Sequence, residues 1–241
     1  MSSCGACALL LALTLSACAQ HTHAPAAAPQ ADAAQAGASQ SAAPRVLADV
    51  PAQVDKSARY LIYLHGRIIE EQGAHAVSPE HGPYEYEQIL AALAAGGYTV
   101  ISATRPRGTE PTEYAAKVVG QIKALLAGGV APGHVTVVGA SKGGGIAVLT
   151  AALLRNRDVN FVILAGCGAG NAGQPKPPDV WGHVLSIYDY KDTGVTSCQR
   201  LFEHSTGLGR RQEIVTRVGL GHGLLYRPLR EWVEPTVAWG R

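Results

Sequence analysis

Short, continuous apolar runs alternate with helical stripes from about Pro51 to the C-terminus, and this alternation restricts the fold more than any other feature. Six runs have the composition of strands buried on both faces: 60–64, 98–102, 135–138, 161–164, 184–188 and 214–218. Between the runs, apolar residues recur at helical spacing, as at Tyr86, Ile89, Leu90 and Leu93. Strands separated by helices need crossover connections. The chain is therefore predicted to form an α/β fold, with a mostly parallel sheet of about six strands flanked by helices on both faces.

The first fifth of the chain has a different character. Residues 8–15 form an apolar run of the length expected in a signal peptide, which is too short for a membrane-spanning helix. The tetrad Leu15-Ser16-Ala17-Cys18 then resembles a bacterial lipobox, although residues 1–6 lack Lys and Arg. This resemblance implies cleavage before Cys18 and lipid on its thiol. An ordinary secretory signal, cut elsewhere, is the alternative.

The segment after the cysteine is predicted to be a tether. Residues 19–44 are largely Ala, Pro, Gln and Ser, which cannot bury enough apolar surface to offset the entropy lost on ordering. We therefore expect a signal peptide at 1–17, a disordered tether at 18–50 and one domain at 51–241. Because Ala19 rather than Asp follows the cysteine, the lipobox resemblance implies an exported protein, anchored to the outer membrane or periplasmic in a Gram-negative bacterium.

The most specific motif follows the third predicted strand. Gly139-Ala140-Ser141-Lys142-Gly143 matches G-x-S-x-G between a strand and a helix, the context in which this pattern places a serine on a sharp turn. A phosphate-binding loop needs the spacing G-x-x-x-x-G-K-[ST], which is absent here. Because a serine hydroxyl alone is a weak nucleophile, Ser141 needs a base nearby.

His222 is the candidate base, because it follows the last predicted strand in a Gly-His-Gly sequence. Such a base needs a carboxylate that holds its tautomer and stabilises the imidazolium. Asp189 and Asp192 both follow the preceding strand. Asp192 is preferred as the acid, and Asp189 would then cap the turn. The alternative is that Asp189 is the acid. Reactive groups of parallel sheets gather at the carboxyl ends of the strands, so these side chains are expected to meet there.

The order Ser141, Asp192, His222, with each residue after its own strand, makes the chain similar to the α/β-hydrolases over about residues 51–241. Asp189 stands where the acid loop of that family commonly has a glycine, a departure from the family pattern. The resemblance implies the α/β-hydrolase fold and a small serine hydrolase. The loops between the predicted strands leave little material for a large helical lid.

The resemblance also implies an oxyanion hole made of two backbone N–H groups. One is that of Lys142, the residue after the nucleophile. The other belongs to the loop that begins at His65-Gly66, and is that of Arg67 or alternatively Ile68. Such donors stabilise the negative charge that develops on a carbonyl oxygen under attack.

Two cysteines are expected near the acid. Cys167 and Cys198 follow neighbouring strands, and in an exported protein a disulfide between them would brace the loop of Asp192. Two free buried thiols are the alternative.

Several basic residues also follow strand ends in this region: Arg67, Arg105, Arg107 and Lys142. They would favour an anionic acyl substrate, unless the neighbouring acids Glu70 and Glu71 pair with them.

These features predict an exported serine hydrolase that cleaves an ester, thioester or related acyl bond of a small molecule through an acyl-enzyme. No metal or organic cofactor is implied. The net charge of +2 gives no indication of the basic surface that binds nucleic acid. A non-catalytic, ligand-binding lipoprotein that keeps the fold is one alternative. A serine peptidase is another. Membrane contact is expected only through the N-terminal lipid.

Overall fold

The computed structural model describes residues 45–168, 176–195 and 197–241. Within them, seven strands form one sheet in which every neighbouring pair is parallel. Its strands are β1 (Arg45–Leu47), β2 (Arg59–Leu64), β5 (Tyr98–Ile101), β6 (Val135–Ala140), β7 (Asn160–Leu164), β8 (Trp181–Asp189) and β9 (Gly207–Thr216). The small hairpin of β3 (Val77–Ser78) and β4 (Gly82–Pro83) is antiparallel. The predicted α/β fold with a mostly parallel sheet is confirmed.

The sheet has the strand order β1-β5-β2-β6-β7-β8-β9. From β2 the chain crosses to β5 on one side, returns to β6 on the other side, and then adds β7, β8 and β9 in succession. The direction of winding thus reverses between β2 and β6. Loops at the carboxyl ends of strands diverge at such a reversal, which leaves a crevice for ligands.

The sheet is covered on both faces by helices. They are α1 (Arg67–Gln72), α2 (Tyr86–Ala95), α3 (Pro111–Ala127), α4 (Lys142–Leu154), α5 (Gln199–His204) and α6 (Arg230–Trp239). Two short 3₁₀ helices lie at Pro132–His134 and Gly221–Tyr226. One apolar core packs the sheet against α2 and α6, and the other packs it against α3, α4 and α5.

The strands divide their side chains between these two cores. Leu61 and Tyr63 of β2 belong to the core with α2 and α6, whereas Tyr60, Ile62 and Leu64 belong to the core with α3 and α4. Successive side chains of a strand point to opposite faces, and both faces are buried here. That is why the strand sequences are continuously apolar rather than alternating.

The domain begins earlier than the sequence predicts. Arg45–Leu47 lies inside the segment 18–50 that was expected to be a disordered tether, yet it pairs with β5 at the edge of the sheet. Its three residues show no long apolar run, so strand periodicity cannot detect it. The predicted signal peptide and Cys18 lie outside the described residues. Among the helices of the described part, none is long and apolar enough to cross a membrane.

Candidate active site

Ser141 occupies a strained turn between β6 and α4. Its φ of 53° and ψ of −117° lie in a region that residues with a Cβ rarely adopt. The turn is held by two hydrogen bonds: the Ser141 N–H donates to Leu164 O at 2.8 Å, and Ser141 O accepts from the Gly145 N–H at 3.1 Å. The sharp strand-to-helix turn predicted from G-x-S-x-G is therefore present.

Glycine allows α4 to begin very close to β2. A Cβ at Gly143 would lie 1.9 Å from the carbonyl oxygen of Leu64, so no other residue fits without moving the helix. The close approach brings the turn of Ser141 beside the loop after β2. A Cβ at Gly66 would lie 3.7 Å from the Cβ of Ser141.

His222 bridges the serine and one aspartate. Its Nε2 lies 2.9 Å from Ser141 Oγ, and its Nδ1 lies 2.6 Å from Asp192 Oδ2. With the proton on Nδ1, the ring donates to the carboxylate and accepts from the hydroxyl. The side chain of Asp192 is 3% exposed and that of His222 is 33% exposed, so the carboxylate is shielded while the imidazole reaches solvent. The three predicted side chains thus lie in one hydrogen-bonded line.

Asp189 takes a different position from Asp192. Its Oδ2 accepts from Thr216 Oγ1 at 2.9 Å and the Gly219 N–H at 3.0 Å, and its Oδ1 accepts from the N–H groups of Gly221 and Lys191 at 3.0 and 3.1 Å. Burial raises the pKa of this carboxyl, but these hydrogen bonds outweigh burial and hold the pKa below its usual value. Asp189 therefore joins the loop that carries His222 to the loop that carries Asp192.

A disulfide holds the loop that carries Asp192 on the side away from Asp189. Cys167 follows β7 and is bonded to Cys198, which precedes α5, with the two Cα atoms 5.4 Å apart. A β-bridge between Gly168 and Val195 lies next to it. The loop of Asp192 is consequently tied at one end by the hydrogen bonds of Asp189 and at the other by a covalent bond.

Both predicted oxyanion donors stand at helix starts. Arg67 is the first residue of α1, and Lys142 is the first residue of α4. Backbone N–H groups in the first turn of a helix have no carbonyl acceptor within the helix, and they carry the positive end of its dipole. Such groups can donate hydrogen bonds to an oxyanion and so stabilise its negative charge.

A buried carboxylate connects the starts of α1 and α4. Glu70 of α1 accepts from Arg105 Nε at 2.7 Å and from Lys142 Nζ at 2.6 Å. Lys142 Nζ also donates to Thr109 O at 2.7 Å. The side chain of Glu70 is 2% exposed. Burial raises its pKa, but the two cations outweigh burial and hold the pKa below its usual value.

This ion-pair network bears on the expected substrate charge. Glu70 pairs with Arg105 and Lys142, and Arg107 donates to the main-chain oxygen of Glu71 at 2.9 Å. Three of the four basic groups are therefore engaged by the protein itself. Arg105 and Lys142 are thus paired with a neighbouring acid, which was the alternative expectation. Neither side chain therefore needs an anionic substrate to balance its charge.

His65 fastens the loop after β2. Its Nδ1–H donates to Gly66 O at 2.8 Å, and its Nε2 accepts from the Arg105 N–H at 2.9 Å. The guanidinium of Arg105 also donates to the His65 carbonyl oxygen. Burial, assisted by the positive charge of Arg105, lowers the pKa of His65 to about 4. His65 is thus neutral and braces the loop that carries Arg67.

Sequence reasoning missed the contribution of the β3–β4 hairpin. Its tip places His81 with its ring centre 6.4 Å from that of His222, and the ring packs edge-on against Tyr226 at 5.0 Å. No periodicity or motif marks His81, because its position depends on a contact between segments far apart in the chain. Within the described residues, no group of three or more His, Cys, Asp or Glu side chains is arranged to hold a metal ion.

No protein-family model and no curated protein sequence matches the chain. Solved structures do resemble it. One belongs to the metagenome-derived lipolytic enzymes LipS and LipT, with 16% identity, 82% of this chain and 99% of that chain covered, and a TM-score of 0.50. Another is a mutant form of an esterase, with 17% identity, coverage of 78% and 76%, and a TM-score of 0.50. SOBER1 from Arabidopsis thaliana is 14% identical over 76% of this chain and 97% of that chain, with a TM-score of 0.48.

At these identities the likeness concerns the fold alone. A parallel sheet of seven strands flanked by helices on both faces, with Ser141 on the turn after β6, gives this chain the α/β-hydrolase fold.

Proposed function

We propose that this protein is a serine hydrolase that cleaves an ester, thioester or related acyl bond of a small molecule. The observation that carries the proposal is the line from Ser141 Oγ to His222 Nε2, at 2.9 Å, and from His222 Nδ1 to Asp192 Oδ2, at 2.6 Å. A hydroxyl becomes a competent nucleophile when a base takes its proton and a carboxylate orients that base.

The first half of the reaction acylates the enzyme. Ser141 Oγ attacks the carbonyl carbon of the substrate while its proton passes to His222 Nε2, and the carbonyl oxygen becomes an oxyanion. Asp192 stabilises the imidazolium that forms. The tetrahedral intermediate collapses when the bond to the leaving group breaks, and His222 gives its proton to the departing oxygen, sulfur or nitrogen.

The second half releases the acid. A water molecule attacks the acyl carbon of the Ser141 ester and gives one proton to His222 Nε2. The new tetrahedral intermediate expels Ser141 Oγ, which recovers the proton from His222. The products are the carboxylic acid and the free enzyme, so the cycle consumes one water and needs no metal or organic cofactor.

The oxyanion of both intermediates is assigned to the backbone N–H groups of Arg67 and Lys142. The proximity of Gly66 to Ser141, and the ion pairs that join α1 to Lys142, support this assignment. Two preorganised donors of this kind lower the barrier by several kcal/mol.

Turnover of p-nitrophenyl esters tests the proposal. The wild-type chain is expected to hydrolyse them, and Ser141→Ala is expected to lower kcat by about 10⁴-fold or more, because the acyl-enzyme cannot form. Equal turnover by the wild type and Ser141→Ala would overturn the proposal. So would a folded wild-type chain that hydrolyses no ester while it binds ligands, as a non-catalytic lipoprotein would.

We also propose that the protein is exported and held at a membrane by lipid on Cys18. The lipobox-like tetrad that ends at Cys18 supports this. Several acyl chains, each contributing roughly 0.8 kcal/mol per buried CH₂, would hold the domain at the surface. Labelled palmitate should be incorporated into the wild type in bacteria but not into Cys18→Ser, and incorporation into neither would contradict the anchor.

A further inference from the structure

A cleft of about 570 Å³ opens beside His222. Glu80 and His81 line it from the tip of the β3–β4 hairpin, residues 191–194 line it from the loop after β8, and residues 219–222 complete it. Nearly every side chain that lines the cleft can form hydrogen bonds. Apart from Asp192 and His222, the side chains that line the cleft have no role in the proposed chemistry at Ser141.

His81 is held in the cleft with its nitrogens unpaired. Its ring packs edge-on against Tyr226, with ring centres 5.0 Å apart, and its backbone N–H donates to Ser78 Oγ at 3.2 Å. The side chain is 15% exposed, and its Nε2 approaches Glu80 Oε2 only to 3.7 Å. Among the described residues, neither ring nitrogen has a hydrogen-bond partner, so the ring keeps hydrogen-bonding capacity for a ligand in the cleft.

The position of His81 near His222 indicates that it would contact the leaving group of the substrate. In the proposed reaction His222 Nε2 protonates the leaving group, so the leaving oxygen lies within hydrogen-bond distance of that atom. The ring centre of His81 is 6.4 Å from that of His222. A hydrogen-bonding group on the alcohol, two or three bonds beyond the ester oxygen, can therefore reach the His81 ring while the ester oxygen faces His222.

The charges around the cleft restrict the alcohol further. Glu80 and Lys191 carry opposite charges and the Asp192 carboxylate is bound by His222, so together these groups favour neither an anionic nor a cationic leaving group. An alkyl chain would remove water from these charged groups without replacing its hydrogen bonds, which is unfavourable. A neutral alcohol with several hydroxyl groups meets both conditions.

We propose that His81 is a specificity-determining residue that hydrogen-bonds a hydroxyl of the leaving alcohol, so that the preferred substrates are esters of polyhydroxylated alcohols. This inference rests on the proposed hydrolase function. It assigns the cleft to the alcohol side of the substrate, and it places the acyl side elsewhere around Ser141.

Two esters with one acyl group test the inference. Glycerol 1-butyrate and propyl butyrate differ only in the two hydroxyls of the alcohol. The wild type is expected to have a higher kcat/KM for the glycerol ester, and His81→Phe is expected to reduce the ratio of the two values about tenfold, because a site built for a hydroxyl loses its partner. The Phe ring keeps the packing against Tyr226, and turnover of propyl butyrate should persist.

Matched variants separate this effect from a loss of folding. His204→Phe changes an exposed histidine of α5, outside the cleft, and should leave the ratio unchanged. His81→Gln retains hydrogen-bonding atoms and should restore part of the preference. An unchanged ratio in an active His81→Phe, or no preference in the wild type, overturns the inference but leaves the hydrolase proposal standing. A wild type inert toward every ester overturns both.

Discussion

Two aspartates three residues apart perform separate tasks. Asp192 contacts the imidazole of His222, whereas Asp189 accepts four hydrogen bonds that hold the surrounding loops. The same substitution at each position should therefore affect different properties.

Asp192→Asn is expected to lower kcat by about 10³- to 10⁴-fold, because the amide favours the wrong tautomer of His222 and does not stabilise the imidazolium. Its free energy of unfolding should change little by comparison. Steady-state kinetics on a p-nitrophenyl ester, with urea unfolding alongside, measures both. A kcat near that of the wild type would rule out Asp192 as the acid.

Asp189→Asn is expected to act on stability instead. An amide has one acceptor oxygen and one donor nitrogen, so it cannot accept all the hydrogen bonds from Thr216 and the three backbone N–H groups. We expect the free energy of unfolding to fall by about 3 kcal/mol. Urea unfolding checks this, and unchanged stability with abolished turnover would reverse the roles given to the two aspartates.

Glu70 links the two helix starts that carry the proposed oxyanion donors. Glu70→Gln removes a charge that faces two cations, and leaving buried cations unpaired should cost about 3 kcal/mol of stability. It should also lower kcat more than it raises KM, because the position of the Lys142 backbone depends on this contact. The exposed neighbour provides the control: Glu71→Gln should change neither quantity. A stable, fully active Glu70→Gln would contradict the linkage.

At the scale of elements, the acid loop depends on the bond between Cys167 and Cys198. A cross-link over a sequence separation of 31 restricts the unfolded chain, and its loss should lower the free energy of unfolding by about 3 kcal/mol. The double variant Cys167→Ala, Cys198→Ala should also exchange amide hydrogens faster around Asp192. Hydrogen-exchange mass spectrometry measures this. Equal exchange in both proteins would show that the hydrogen bonds of Asp189 alone hold the loop.

The long elements could be predicted because their patterns are strong. All six apolar runs lie within or largely within strands, and the stripe beginning at Tyr86 lies in α2 (Tyr86–Ala95). The short elements escaped detection for physical reasons. Arg45–Leu47 is a strand only because β5 offers a free edge, and the β3–β4 hairpin has two residues in each strand. Tertiary contacts rather than local sequence determine such segments.

The candidate site likewise has residues that the sequence predicts and contacts that it does not. Ser141, Asp192 and His222 each follow a predicted strand, so the rule that reactive groups gather at the carboxyl ends of strands suffices to place them together. The contacts of Glu70 with Arg105 and of His81 with Tyr226 join segments distant in sequence. No local pattern encodes the partner in such a contact.

At the scale of the whole molecule, His65 makes stability depend on pH. Its pKa falls from 6.5 to about 4 on folding, so between these values the unfolded chain binds a proton that the folded chain does not. The stability that depends on neutral His65 is therefore present above about pH 6.5 and is lost as the pH falls toward about 4, by about 3 kcal/mol in all.

Urea unfolding at about pH 7 and about pH 4.5 tests this dependence. The free energy of unfolding of the wild type should fall over this interval by more than that of His65→Gln, which cannot titrate. Other groups, including His183 with its lowered pKa, contribute equally to both proteins. Parallel losses in the two proteins would contradict the assignment to His65.

Labelling of Ser141 by a fluorophosphonate probe, located by peptide mass spectrometry, tests most directly whether His222 activates this serine. The probe reacts with a serine only where a neighbouring base activates it. We expect an adduct on Ser141 in the folded wild type, no adduct in Ser141→Ala, and labelling slowed by about 100-fold or more in His222→Ala. A folded wild type that remains unlabelled, or that is labelled as fast without His222, would contradict this activation.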